Sequence, residues 1–228
     1  HDLDWLAYII GRPAERVASF GSLYEFRPER KPEGAADRCL DCAVESTCPY
    51  SAPRIYLPFL QRPEKNWPLS VITTDRSTEG VLNALRDGPY GRCVYACDND
   101  VVDHQVVCIE YAGGVTASFT MTAFAPGGHR KTRIFGTRGC IEGDGETLTI
   151  NDFLTGPEIV RLGAAGGAMA DDGHGGGDQA LVDAFVAAVG SGDPSLILTN
   201  GRDSLESHRL VWAAERARRT GTVVTLAT

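Results

Sequence analysis

Cys39, Cys42 and Cys48 stand as C-x2-C-x5-C in the string RCLDCAVESTCPYS. The first pair has the spacing at which a tight turn points two thiolates at one cation, so the cluster reads as a structural zinc site. Three thiolates leave a tetrahedral site one ligand short, and His104, His129, His174, a carboxylate or water are the candidates for the fourth. The competing reading is three ordinary thiols, or a labile disulfide. A catalytic metal is not the expectation.

Other polar groupings offer different chemistry. The string DNDVVDHQVV brings together Asp100, Asp103, His104 and Gln105. In a strand, Asp103 and Gln105 share one face and His104 points to the other, which suits either a solvent-facing surface or a site that binds hydroxyls. His174 and Asp178 flank three glycines at the start of a helical pattern, where backbone can approach a ligand and Asp178 can act as the N-cap. Arg130, Lys131 and Arg133 read as a solvated basic face. His1 stands at the start of an apolar-periodic segment, where the positive helix end favours a neutral, base-competent imidazole; helix capping is the competing role. Asp2 and Asp4 lie in that first turn, where carboxylates stabilise the helix end.

These groups need a scaffold, and composition bounds it. The chain has 228 residues with 22 Lys+Arg against 30 Asp+Glu, a net charge of −8 at pH 7 spread without a basic stripe. That is the size of one globular domain with an insertion, and the charge argues against a nucleic-acid partner. No run approaches the ~20 apolar residues of a membrane span, so a soluble protein is expected. The 26 glycines exceed the ~7% average without falling at a fixed period, which excludes collagen-like and low-complexity readings. Seven cysteines, an odd number, with Cys93, Cys97, Cys108 and Cys140 near or in apparent strands, suggest a reducing, cytoplasmic home. The chain starts at His1 inside a periodic segment, which reads as a piece of something longer.

Along the chain, residues 3–10 predict a short helix stopped at Gly11, and residues 16–24 a strand. From Pro28 to Pro68 lie seven of the twelve prolines and three of the seven cysteines, with little periodicity. This insertion, at about 25–75, has too few patterned apolar residues to hold itself and needs a constraint. A helix follows Ser77 and ends at Gly88, then strands at 92–96, 101–111, 115–125 and 131–136. Shorter β pieces lie at 140–142, 148–153 and 158–162. Residues 163–177 read as a loop. A helix beginning at Asp178 should bury Leu181, Val182, Phe185, Val186 and Val189, and a last helix has Asp203 and Glu206 at capping-box-like spacing before a closing strand at 222–226. The class is α+β: an open, mostly antiparallel sheet with helices from both chain ends packed on one face.

The strings HDLDWLAYIIG, RIFGTRGCIEG, HGGGD and GDPSL…SLESH…AAERARRTGTVV, in this order over nearly the whole chain, resemble the C-terminal half of the Gfo/Idh/MocA oxidoreductases. The resemblance implies a single C-terminal substrate and oligomerisation domain over residues 1–228, whose NAD or NADP is bound by an N-terminal Rossmann domain. The G-x-G-x-x-G fingerprint and the family's lysine motif are both absent from this sequence. The resemblance further implies hydride transfer on a sugar, cyclitol or similar polyol, with His1 as general acid/base and Asp2, Asp4, His174 and Asp178 as substrate-binding candidates. It also implies a homodimer or homotetramer, for which the face carrying Thr116, Ser118, Thr120 and Thr122 is a candidate. The rival function is a non-catalytic sugar-binding or assembly module of the same fold.

Overall fold

The computed structural model describes residues 1–62, 67–126, 130–145, 147–161, 177–197 and 199–226. The chain divides into two compact units, one made of His1–Phe124 with Leu210–Thr228 and the other of Ala125–Arg209. The class is α+β, as expected, and every strand pairing is antiparallel, but the strands divide between two four-stranded sheets.

The first unit opens with α1 (Asp2–Ile10), which Gly11 ends in the left-handed conformation at φ 62, a backbone state glycine adopts without steric penalty. Its sheet has the order β3-β2-β1-β8, from β1 (Ala14–Ser22), β2 (His104–Tyr111), β3 (Val115–Thr122) and β8 (Val224–Thr225). Period-2 alternation decides its two faces. Val17, Val107 and Ile109 are buried with Leu3 of α1 and with Leu210, Ala213 and Ala214 of α6 (Gly201–Thr220), while Thr116, Ser118, Thr120 and Thr122 stay exposed on the opposite face. Tyr111 is fully buried in this core, and its hydroxyl has no partner there.

The insertion is better held than its sequence suggests. Four short 3-10 turns, α2 (Ala52–Tyr56) and α3 (Leu69–Ile72) lead to α4 (Thr78–Asp87), which Ser77 caps by accepting the Gly80 N–H at 3.0 Å. Cys39, Ala52, Leu69, Val81 and Leu85 form a second core, with Leu40, Tyr56 and Phe59 packed against it. Val81 and Leu85 come from α4, and the remaining apolar residues from several short turns and helices, so no segment of the insertion itself shows a period. The strand expected at 92–96 is instead a 3-10 turn at Val94–Ala96, closed by the Ala96 N–H on the Cys93 carbonyl at 2.9 Å.

The second unit carries the meander β4 (Thr132–Gly136), β5 (Gly139–Gly143), β6 (Thr147–Asp152) and β7 (Gly156–Arg161). Its helix α5 (Gly177–Ser191) departs from expectation in two ways. Asp178 lies inside its first turn and is not its N-cap, and Leu181, Val182, Phe185, Val186 and Val189 are exposed, Ala188 being the buried residue of the helix. Helix α6 is capped by Asn200, whose Oδ1 accepts the Arg202 and Asp203 N–H groups, in place of the expected Asp203–Glu206 capping box.

Candidate functional site

Where β1 ends and β2 begins, the backbone is stitched by the Asp103 N–H on the Ser22 carbonyl at 3.1 Å and the Ala123 N–H on the Asp103 carbonyl at 2.8 Å. Asp103 therefore sits just before the pleat begins, its side chain 1% exposed. Its Oδ2 accepts the backbone N–H groups of Tyr24 at 2.9 Å, Glu25 at 2.7 Å and Phe26 at 3.4 Å. Its Oδ1 lies 2.8 Å from His104 Nδ1. Burial acts to raise the carboxyl, but the hydrogen bonds from His104 and the three N–H groups outweigh it and hold the pKa at about 2. An ionised carboxylate only accepts, so Nδ1 of His104 carries a proton, and the tautomer this selects has its lone pair on Nε2.

His104 is 44% exposed at its side chain, and the Tyr24 ring meets it edge-on at 6.4 Å. The Arg30 guanidinium lies over Tyr24 at 4.4 Å. Behind this edge, Tyr95 donates its hydroxyl to Glu25 Oε1 at 3.0 Å, and burial together with that carboxylate pushes the Tyr95 phenol upward. Phe26 packs against Tyr50 and Phe124 at 4.9 and 5.6 Å. On the opposite sheet face Gln105 donates to Ser19 Oγ at 2.9 Å, so His104 and Gln105 alternate as expected, whereas Asp103, which precedes the strand, turns to His104 and does not share the Gln105 face expected of it. The arrangement can accept a hydrogen bond or a proton from a ligand hydroxyl at Nε2 and can move its own proton only along the fixed Nδ1–Asp103 axis.

The residues singled out from sequence fall in several places. His1 precedes α1 and is exposed; its carbonyl accepts the Trp5 N–H at 2.8 Å, and its ring makes no capping bond. Asp2 and Asp4 lie half-buried in the first turn of α1. Asp178 is exposed in the second unit, and His174 and His129 lie outside the described residues. Cys39, Cys42 and Cys48 line one cavity in the insertion, together with Cys93. No three His, Cys, Asp or Glu side chains among the described residues are gathered as a metal-holding group, and all seven cysteines are free thiols. His104 is committed to Asp103 and does not join the cysteines. Arg133 pairs with Glu142 at 3.2 Å, as a solvated face would.

Sequence reasoning missed Tyr24, Glu25 and Phe26 as partners of Asp103, because they lie 77 to 79 residues away and share no motif with it. The strand expected at 101–111 begins only at His104, which leaves Asp103 free to fold back onto it; the adjacent Asp and His in DNDVVDHQVV were the signal present.

No family model matches the chain. YteT of Bacillus subtilis (strain 168), provisionally named an oxidoreductase, is 23% identical over 201 residues, covering 80% of this chain and 44% of that protein. Among solved structures, an oxidoreductase domain protein from Kribbella flavida superposes with a TM-score of 0.58 at 17% identity, covering 100% of this chain and 50% of that one. The aldose-aldose oxidoreductase of Caulobacter crescentus, complexed with glycerol, gives 0.53 at 15% identity, covering 98% of this chain and 44% of that one. The chain spans about half the length of these proteins. The likeness is one of fold, and the fold is the one the sequence strings imply. Among the described residues no helix is long and apolar enough to cross a membrane.

Proposed function

We propose that this chain, whose fold is that of Gfo/Idh/MocA-type oxidoreductases over about half their length, is the C-terminal half of such an enzyme. In this reading it binds substrate and mediates oligomerisation for NAD(P)-dependent hydride transfer on a sugar, cyclitol or similar polyol. The observation that supports this most directly is the continuous structural match over 98 to 100% of the chain to proteins of that class.

The nucleotide does not fit the described residues. Both sheets are antiparallel, the described residues form no βαβ unit, and the sequence has no glycine fingerprint to seat a pyrophosphate at a helix N-terminus. In this reading the dinucleotide is held by a Rossmann domain outside this chain, and the roles left to these residues are binding, orientation and proton handling. His1, Asp2 and Asp4 form one polar helix end, where His1 takes or returns the hydroxyl proton and the two carboxylates orient neighbouring hydroxyls. Asp103 holds His104 in one tautomer, which suits Nε2 to receiving a hydroxyl of a polyol. His174 and Asp178 remain substrate-binding candidates of the second unit.

A second reading, a sugar-binding or assembly module without catalysis, is favoured by one observation. The Asp103–His104 pair is oriented by residues of this chain, through the backbone N–H groups of Tyr24, Glu25 and Phe26 on the Asp103 carboxylate.

Titration of NADH and NADPH into the full-length product of the gene separates the two. Nucleotide binding, with turnover lost and nucleotide affinity kept in His1→Ala, supports the oxidoreductase. Absence of nucleotide binding by the full-length product overturns it and leaves the module.

A further inference from the structure

Four of the seven cysteines, Cys39, Cys42, Cys48 and Cys93, line a single cavity of the first unit. We propose that this cavity is a binding site for one thiophilic divalent cation of the zinc type, with Cys93 supplying the fourth thiolate to the C-x2-C-x5-C cluster.

The backbone is arranged for this. Cys42 closes one 3-10 turn through its N–H on the Cys39 carbonyl at 3.3 Å, and Cys48 closes another on Glu45 at 3.1 Å. Cys93 comes from far along the chain but is fastened to the same place. Its N–H donates to the Asp37 carbonyl at 2.8 Å, and Arg38 and Arg92 form an antiparallel bridge beside it. Arg38 is itself anchored, its Nη2 donating to the Leu85 carbonyl at 3.1 Å and the Gly88 carbonyl at 2.5 Å. Three short turns thus present four cysteines to one space, the device by which structural zinc sites collect ligands from a loop with little regular structure.

Cys39 is buried at this cavity, and Cys42, Cys48 and Cys93 line it beside Cys39. A thiophilic dication binds the deprotonated forms of such cysteines and releases their protons. The sulfurs are not drawn together in a ligand geometry as they stand. A cysteine has a single χ1, so its sulfur can move between staggered wells with the backbone unchanged. Soft thiolate donors in a tetrahedral set select zinc over magnesium or calcium. Cys97 is set apart, its thiol donating to the Cys93 carbonyl at 3.3 Å, and Cys108 lies exposed on the open face of the sheet.

Cobalt(II) chloride titrated into reduced, chelator-treated full-length protein tests this. The expected result is one equivalent bound, with thiolate-to-cobalt charge-transfer absorption and the visible bands of a tetrahedral ion, displaced by one equivalent of zinc chloride. Cys93→Ser should weaken binding at least tenfold and alter the charge-transfer intensity, whereas Cys97→Ser and Cys108→Ser should leave both unchanged. Absence of charge-transfer absorption in the unsubstituted protein overturns the site, whatever the variants do. Binding that survives Cys93→Ser unchanged overturns the assignment of the fourth ligand.

Discussion

Asp103 and His104 are adjacent in the chain and also paired in space, Oδ1 to Nδ1 at 2.8 Å. Consecutive strand residues normally point to opposite faces. The two meet because β2 begins at His104, which leaves Asp103 outside the pleat and free to turn its carboxylate toward the 24–26 segment on one side and the imidazole on the other. One buried carboxylate thereby fixes a loop, the end of a sheet and the tautomer of a half-exposed histidine.

Asp103→Ala removes the shared acceptor of three backbone N–H groups and of His104. Charge-assisted hydrogen bonds of this kind support a loss of about 3 kcal/mol in urea unfolding. The pH dependence has a defined sign. A carboxyl held at about 2, below its ordinary 3.8, contributes stability that is fully present above the ordinary value and disappears as pH falls through 2. Glu215, held at about 2 by Arg218 and Arg219, titrates in the same acid window. The unsubstituted protein should therefore lose stability steeply between about pH 4 and 2, and Asp103→Ala should show a shallower slope there. Equal slopes would show that Asp103 is not the depressed group.

His104→Gln keeps hydrogen-bonding capacity at the site but removes the proton-accepting nitrogen. In the full-length protein, turnover of a polyol substrate should fall at least tenfold while NADH or NADPH affinity stays within twofold. A variant that binds and turns over substrate normally would reduce His104 to a surface residue held in place by Asp103.

Local patterning made the amphipathic parts of the fold legible. Leu3 and Leu6 announced α1, the alternation from Val115 to Thr122 announced β3, and Ser77 with Gly88 bracketed α4. The insertion was opaque because it contributes Cys39, Ala52 and Leu69 from three separate elements, none long enough to show a period, to a core completed by Leu85 of α4. Residues 92–96 carry β-like composition, yet Arg92 and Cys93 meet Arg38 and Asp37 only briefly before the chain turns. Helix α5 has the apolar face its sequence promised, but that face is exposed, and periodicity alone does not say what covers it. At the site, the His104 orientation followed from pleat parity, while the partners of Asp103 depended on tertiary closure.

Tyr111 offers a test of the first core. It is fully buried, burial pushes its phenol up to about 12, and its hydroxyl lacks a partner. An unsatisfied buried hydroxyl is destabilising, so Tyr111→Phe should be neutral or stabilise the fold by up to about 1 kcal/mol in thermal or urea unfolding. A loss above that size would mean that the hydroxyl has a bonded water in solution.

Gly91 tests the second core and what it positions. A Cβ added there would stand 1.6 Å from the Leu85 carbonyl oxygen and 2.9 Å from the Leu85 Cα, both backbone atoms that no rotamer change can move aside. That carbonyl also accepts Arg38, and Cys93 lies two residues beyond, so relief of the clash displaces the anchor and the fourth thiol together. Gly91→Ala should therefore destabilise the protein by about 3 kcal/mol, as overpacking against fixed atoms does, and should weaken cobalt binding even though no ligand is changed. Gly190→Ala, where a Cβ meets open space within α5, should be neutral or stabilising by up to about 1 kcal/mol. If Gly91→Ala unfolds with an unchanged midpoint, the approach of the 89–91 turn to α4 is looser than the distances state, and the route by which Cys93 reaches the cavity must be redrawn.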